Sequence, residues 1–81
     1  MSTAALGRLL RQTREAAGLT QDQLAHATGY SQGAISLWEL GARVPNALAL
    51  SILAGTLEVS IAALADALAA DNDDELEGDP C

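Results

Sequence analysis

An all-α fold is what this chain predicts, and three observations predict it. Apolar residues recur at three- and four-residue intervals through most of its length. Helix-starting residues and helix-stopping glycines punctuate those stretches. No run alternates apolar and polar residues in the manner of a strand, and no segment repeats. With 81 residues, 49% of them hydrophobic, the chain can build one compact core. Trp38 and Tyr30 are the only rings and phenylalanine is absent, so that core is predicted to be mainly Leu, Ile and Ala.

Five helices are placed in order. The first runs from about Thr3 to Ala17, with Leu6, Leu9, Leu10 and Ala17 spaced for a buried stripe and Gly18 as its stop. Thr20 is an N-cap, and Gln23 three positions on completes a capping box, so the second helix starts at about Gln21. Leu24, Ala25 and Thr28 share one face, and Gly29 supplies the left-handed turn that ends the helix near Thr28. Ser31 caps the third helix, which runs to about Leu40 before Gly41. On it Ile35, Trp38 and Glu39 fall on one face, and Gly33, Ser36, Leu37 and Leu40 on the opposite one. The fourth follows Pro45 and the cap Asn46 to about Thr56, with Leu50, Leu53 and Ala54 turned inward. Ser60 caps the fifth, along which Ile61, Leu64 and Leu68 recur in an alanine-rich background that favours helix.

Net charge is −7, yet it is unevenly spread. The final stretch DNDDELEGDPC holds Asp71, Asp73, Asp74, Glu75, Glu77 and Asp79 and no base. The first seventy residues carry five acids against four arginines and are nearly neutral. The division predicted is a folded domain over 1–70 and a disordered acidic tail over 71–81, too poor in apolar surface to repay ordering. Such a tail confers solubility, or competes with phosphate for the arginines.

The chemistry of catalysis is absent from the pattern. There is no nucleophile elbow, phosphate-binding glycine loop or paired-acid constellation outside the tail, so no enzyme, cofactor or small-molecule substrate is expected. His26 stands without a partner at ligand spacing and reads as a surface residue. Cys81, the single cysteine, reads as an exposed thiol in a frayed tail, with neither an internal disulfide nor a zinc site open to it. The apolar runs are too short to span a bilayer, and Met1-Ser-Thr-Ala lacks the basic start and apolar core of a signal peptide. The expectation is a cytoplasmic, nucleoid-associated protein with no membrane partner.

The stretch TQDQLAHATGYSQGAISLWELG, Thr20 to Gly41, resembles the helix-turn-helix of the phage repressor and Cro family, the XRE-type domain. The likeness extends upstream through LGRLLRQTREAAGLTQ, with Arg14 and the entry Gly18-Leu19-Thr20-Gln21. Downstream it takes in Ile35-Ser36, Glu39 and Gly41, then Pro45, Leu53-Ala54, Leu57, Val59-Ser60 and Leu64, about residues 6 to 68 in all. The resemblance implies a compact five-helix, lambda-repressor-like domain in a bacterial or phage transcriptional regulator that binds double-stranded DNA.

It also implies roles for residues. Gln32, Gly33, Ser36 and Leu37 take the places that reach base edges. Gln32 suits adenine N6 and N7, Ser36 several bases, and Leu37 a thymine methyl. Gly33 offers no side chain where relatives carry Gln, Arg, Lys or Asn, which shifts specificity toward groove width and bendability. Gln21, with the N–H groups of the second helix's first turn, is placed to hold a phosphate. Arg43 is assigned a flanking phosphate, with Arg11 and Arg8 as further contacts. Arg14 and Glu39 are expected to form a structural ion pair between the first helix and the end of the third.

Such a reader gains affinity by doubling. Leu48 and Ile52, with Ile61, Leu64 and Leu68, offer more apolar surface than one small domain easily buries, which predicts a homodimer on a pseudo-palindromic operator. The other possibility is that these residues complete the monomer's own core. The second functional reading is a protein-interaction module on the same fold, an antitoxin or an acidic partner of another regulator, with Leu37, Leu40 and Val44 as its contact face.

Overall fold

The computed structural model describes the backbone of residues 4–77 and the side chains of residues 4–71. Five helices occupy it: α1 (Ala4–Ala16), α2 (Gln21–Thr28), α3 (Gln32–Leu40), α4 (Ala47–Leu57) and α5 (Ile61–Glu77), with no strand among the described residues. α1 lies against both α3 and α5, α2 against α3 and α4, and α4 against α5. Leu6 and Leu10 of α1, Leu24 of α2, Ile35 of α3, Leu53 of α4 and Leu64 of α5 meet in the interior and are essentially inaccessible to water. Each such side chain stabilises the fold by about 1.5–3 kcal/mol through burial. Ala17, expected in the α1 stripe, falls beyond the last helical turn and is exposed.

Local chemistry sets the boundaries. Thr20 Oγ1 accepts the Gln23 N–H at 3.1 Å while Gln23 Oε1 accepts the Thr20 N–H at 2.9 Å, a complete capping box. Ser31 Oγ accepts from Ala34 at 3.1 Å, and Asn46 Oδ1 from Ala49 at 2.8 Å. α4 ends without glycine: Glu58 takes the left-handed conformation at φ 58°. A side chain with a Cβ tolerates this region poorly, and the Glu58 N–H is held there by the Ala54 carbonyl.

At its far end α5 runs to Glu77, and the Asp71 carboxylate accepts the N–H groups of Ala5 at 3.1 Å and Leu6 at 3.3 Å. Helix starts leave such N–H groups unpaired and attract negative charge, so Asp71 caps α1 from across the fold. The remainder of the acidic tail, residues 78–81 with Cys81, lies outside the described residues. Asp71→Ala is expected to lower unfolding free energy by about 1 kcal/mol, or about 5 °C in Tm. Thermal denaturation of the variant, with Asp71→Asn retaining part of the loss as an uncharged acceptor, checks this.

Candidate nucleic-acid interface

α2, the turn at Gly29 and α3 form the surface in question. Gly29 has φ 82°, reversing the chain so that α3 crosses α2, and Tyr30 then packs edge-on to Trp38 with ring centroids 5.1 Å apart. Aromatic pairs in that geometry add about 0.5–1.5 kcal/mol beyond burial. Ile35 and Trp38 face inward, which turns Gln32, Gly33, Leu37 and Leu40 outward and leaves Ser36 half-buried at the edge. The outer side of α3 is therefore open along its length.

Both ends of that helix are fixed. At its start Ser31 supplies the cap, and at its end Gly41 adopts φ 77° while the N–H of Ala42 reaches the Leu37 carbonyl at 3.0 Å. The Arg43 N–H approaches the same carbonyl at 3.3 Å. That closing turn places Arg43 on an open groove of about 520 Å³ shared with Leu37, Val44 and Pro45. The exposed Arg43 thus sits in the loop that immediately follows α3.

On the other flank the residues are coupled more tightly than expected. Arg14 Nε donates to Glu39 Oε2 at 2.6 Å and Nη2 to Oε1 at 3.1 Å, a two-pronged pair with both side chains largely removed from water. Arg14 Nη1 also donates to the Leu19 carbonyl at 2.8 Å. The Gln21 amide donates to Glu39 Oε1 at 3.0 Å, so it joins the ion pair with one N–H and has only the other to offer a phosphate. Sequence reasoning missed this link, since nothing in the spacing of Gln21 and Glu39, eighteen residues apart, marks them as partners. Arg11, Gln21, Ser36 and Leu40 line one notch of about 280 Å³. Arg11 is additionally engaged with Glu15 at 3.3 Å in an exposed pair, a contact of little strength that a phosphate can displace. Arg8 is exposed on α1 and lines neither recess. Asp22, exposed in the first turn of α2, favours the helix dipole but adds a negative charge where a phosphate would sit.

The apolar set divides. Leu64 is wholly buried in the monomer and leaves the expected dimer group, because α5 lays it against the core shared with α1 and α4. Leu68 packs half-buried against that core and Ile52 is also half-buried, whereas Leu48 and Ile61 are 65% and 50% exposed. Among the described residues no group of His, Cys, Asp and Glu is placed to hold a metal, and no helix is long and apolar enough to cross a membrane.

A family model for helix-turn-helix proteins matches residues 10–64, which spans α2, its turn and α3 whole. The chain belongs to the Cro/C1-type helix-turn-helix family. Solved structures agree with the assignment. The clp gene regulator ClgR from Corynebacterium glutamicum is 30% identical over 85% of this chain and 90% of its own, with a TM-score of 0.73. The restriction-modification controller protein C.AhdI from Aeromonas hydrophila is 29% identical over 76% and 94%, also at 0.73. The P22 c2 repressor, solved in complex with a synthetic operator, is 32% identical over 73% and 89% at 0.70. No curated protein sequence matches. This Cro/C1-type chain is a DNA-binding regulator of transcription.

Proposed function

We propose that the protein binds a pseudo-palindromic operator as a homodimer, each protomer laying α3 in the major groove with the two helices about 34 Å apart. The observation that carries this reading is the outer face of α3: Gln32, Gly33 and Leu37 are exposed on a helix whose other face and both ends are locked into the domain. Gln32 pairs with adenine, Ser36 reaches a neighbouring base from the edge, and Leu37 rests on a thymine methyl. Gly33 brings backbone, not side chain, to the groove, so duplex shape contributes to selection. Arg43 and Arg11, with Arg8 further along α1, meet phosphates, and the α2 N-terminus with Gln21 takes another. The similarity to a repressor seen on its operator supports the same docking here. Leu48 and Ile61, exposed and apolar, with Ile52 and Leu68 at their edge, are the proposed dimer contact.

Two measurements test it. A duplex selected from a random pool, titrated by fluorescence anisotropy, is expected to bind with a log-log salt slope near −5, from roughly six phosphates over two protomers. Leu48→Glu is expected to leave the fold intact, shift the protein to monomer in sedimentation, and weaken operator binding by about tenfold or more. Indifference to every duplex in dilute buffer sinks the proposal. The exposure of Leu40 at 74% and Val44 at 54% favours a second reading, in which this apolar edge contacts another protein. Under that reading Leu40→Ser abolishes partner binding while duplex binding is absent from the start.

A further inference from the structure

We propose that Gly7 is a positioning residue for DNA recognition, an inference that rests on the proposed insertion of α3 in the major groove. A glycine inside a helix is disfavoured against alanine, yet Gly7 sits in the first turn of α1, between Leu6 and Arg8, where alanine would suit the helix better. What forbids alanine is the last turn of α3. A Cβ on Gly7 would stand 2.8 Å from the Trp38 carbonyl oxygen and nearer still to that of Glu39. Both neighbours are backbone, so neither can rotate aside.

With hydrogen in place of a methyl, the Gly7 Cα can lie against these carbonyls, of which that of Trp38 also accepts the Gly41 N–H at 3.2 Å, and each has a lone pair left for a weak Cα–H···O contact. The same last turn holds Glu39 to Arg14 and Gln21, and passes directly into the loop that carries Arg43. Three elements therefore converge on one end of the recognition helix, and Gly7 sets how closely α1 approaches it. α3 spans about 13 Å, so lifting its end by about 1 Å while α2 holds its start tilts the rod by about 5°. Base-edge hydrogen bonds tolerate errors of only about 0.5 Å, whereas arginine contacts to phosphate follow charge and tolerate more. Gly7 thereby governs discrimination between sequences more than attraction to DNA as such.

The test uses Gly7→Ala in the full chain on a Gly55→Ala background. Gly55 is an exposed residue of α4 with nothing within 4 Å of where its Cβ would stand, so its replacement by alanine strengthens a helix without touching the site. Binding is read on a duplex selected by the native protein and on a random-sequence duplex, with helicity and cooperative melting recorded in parallel. The expected result is a folded double variant whose preference for the selected duplex falls by about tenfold or more, while its affinity for the random duplex and its salt slope change less than about twofold. A preserved preference overturns the proposal. So does a double variant that fails to fold, because the glycine is then needed for the domain and not for the setting of α3. If the Gly55→Ala parent itself shows no preference between the duplexes, it is the proposed function that fails, and the inference falls with it.

Discussion

Replacing Glu39 by alanine is expected to lower the unfolding free energy by about 3–5 kcal/mol, a large share of what a domain this small holds. The figure follows from what is left behind. Arg14 would keep its bond to the Leu19 carbonyl but lose both prongs to the carboxylate, in a site where its side chain is only 11% exposed. It would remain charged. Its pKa is raised above the ordinary arginine value, first by the hydrogen bond to Glu39, against the lowering effect of burial, and then by the charges of Glu39 and Glu15. A group whose folded pKa is raised gives stability that is fully present below its unfolded pKa and lost only as pH climbs through the folded one. For arginine that window lies far above neutrality, so the arginine half of the pair contributes no pH dependence near pH 7. Gln21 would lose its acceptor as well. Urea denaturation of Glu39→Ala checks the loss, and a deficit under about 1 kcal/mol removes the pair from its structural role. Arg14→Met with Glu39→Leu is expected to recover most of the stability, since exchanging both partners for apolar groups leaves no stranded charge. Operator binding should not recover with it, because an apolar contact lacks the two-pronged geometry that fixes where α3 ends.

The local parts of this arrangement were legible in the residues, and the long-range parts only where one residue type has one use. Thr20 with Gln23, Ser31, Asn46 and the glycines at 29 and 41 act within three or four positions, so their caps and turns appear in the structure at the expected residues. The inward placement of Ile35 and Trp38 follows from helical periodicity in the same way. Asp71 was absorbed into an acidic run because composition is averaged over a window, while its capping of α1 depends on register: it follows Leu64 and Leu68 by seven and three positions on one face of α5. Gly7 gave a fainter signal, a helix interrupted by its least favoured ordinary residue, and nothing in sequence says which backbone presses against it. The roles of Leu48, Ile61 and Leu64 could not be separated either, for an apolar residue at helical spacing looks the same whether it meets its own chain or a second copy.

That ambiguity makes Leu64 the position where a single substitution distinguishes core from interface. Leu64→Ala is expected to cost about 3 kcal/mol, since the side chain is 0% exposed within one protomer and its removal leaves a cavity among α1, α4 and α5. The loss should be the same at every protein concentration, because the contacts removed are internal to the chain. Leu48→Ala differs in kind. At 65% exposure it should change the unfolding of a dilute monomer by less than about 0.5 kcal/mol, yet show a Tm deficit against the native protein that widens as concentration rises into the range of the proposed dimer. Thermal melts of both variants over a hundredfold range of concentration separate the two cases. A concentration-dependent penalty at Leu64, or one below about 1 kcal/mol, would mean that α5 does not close the monomer core as described and that its apolar face is available to a second copy after all.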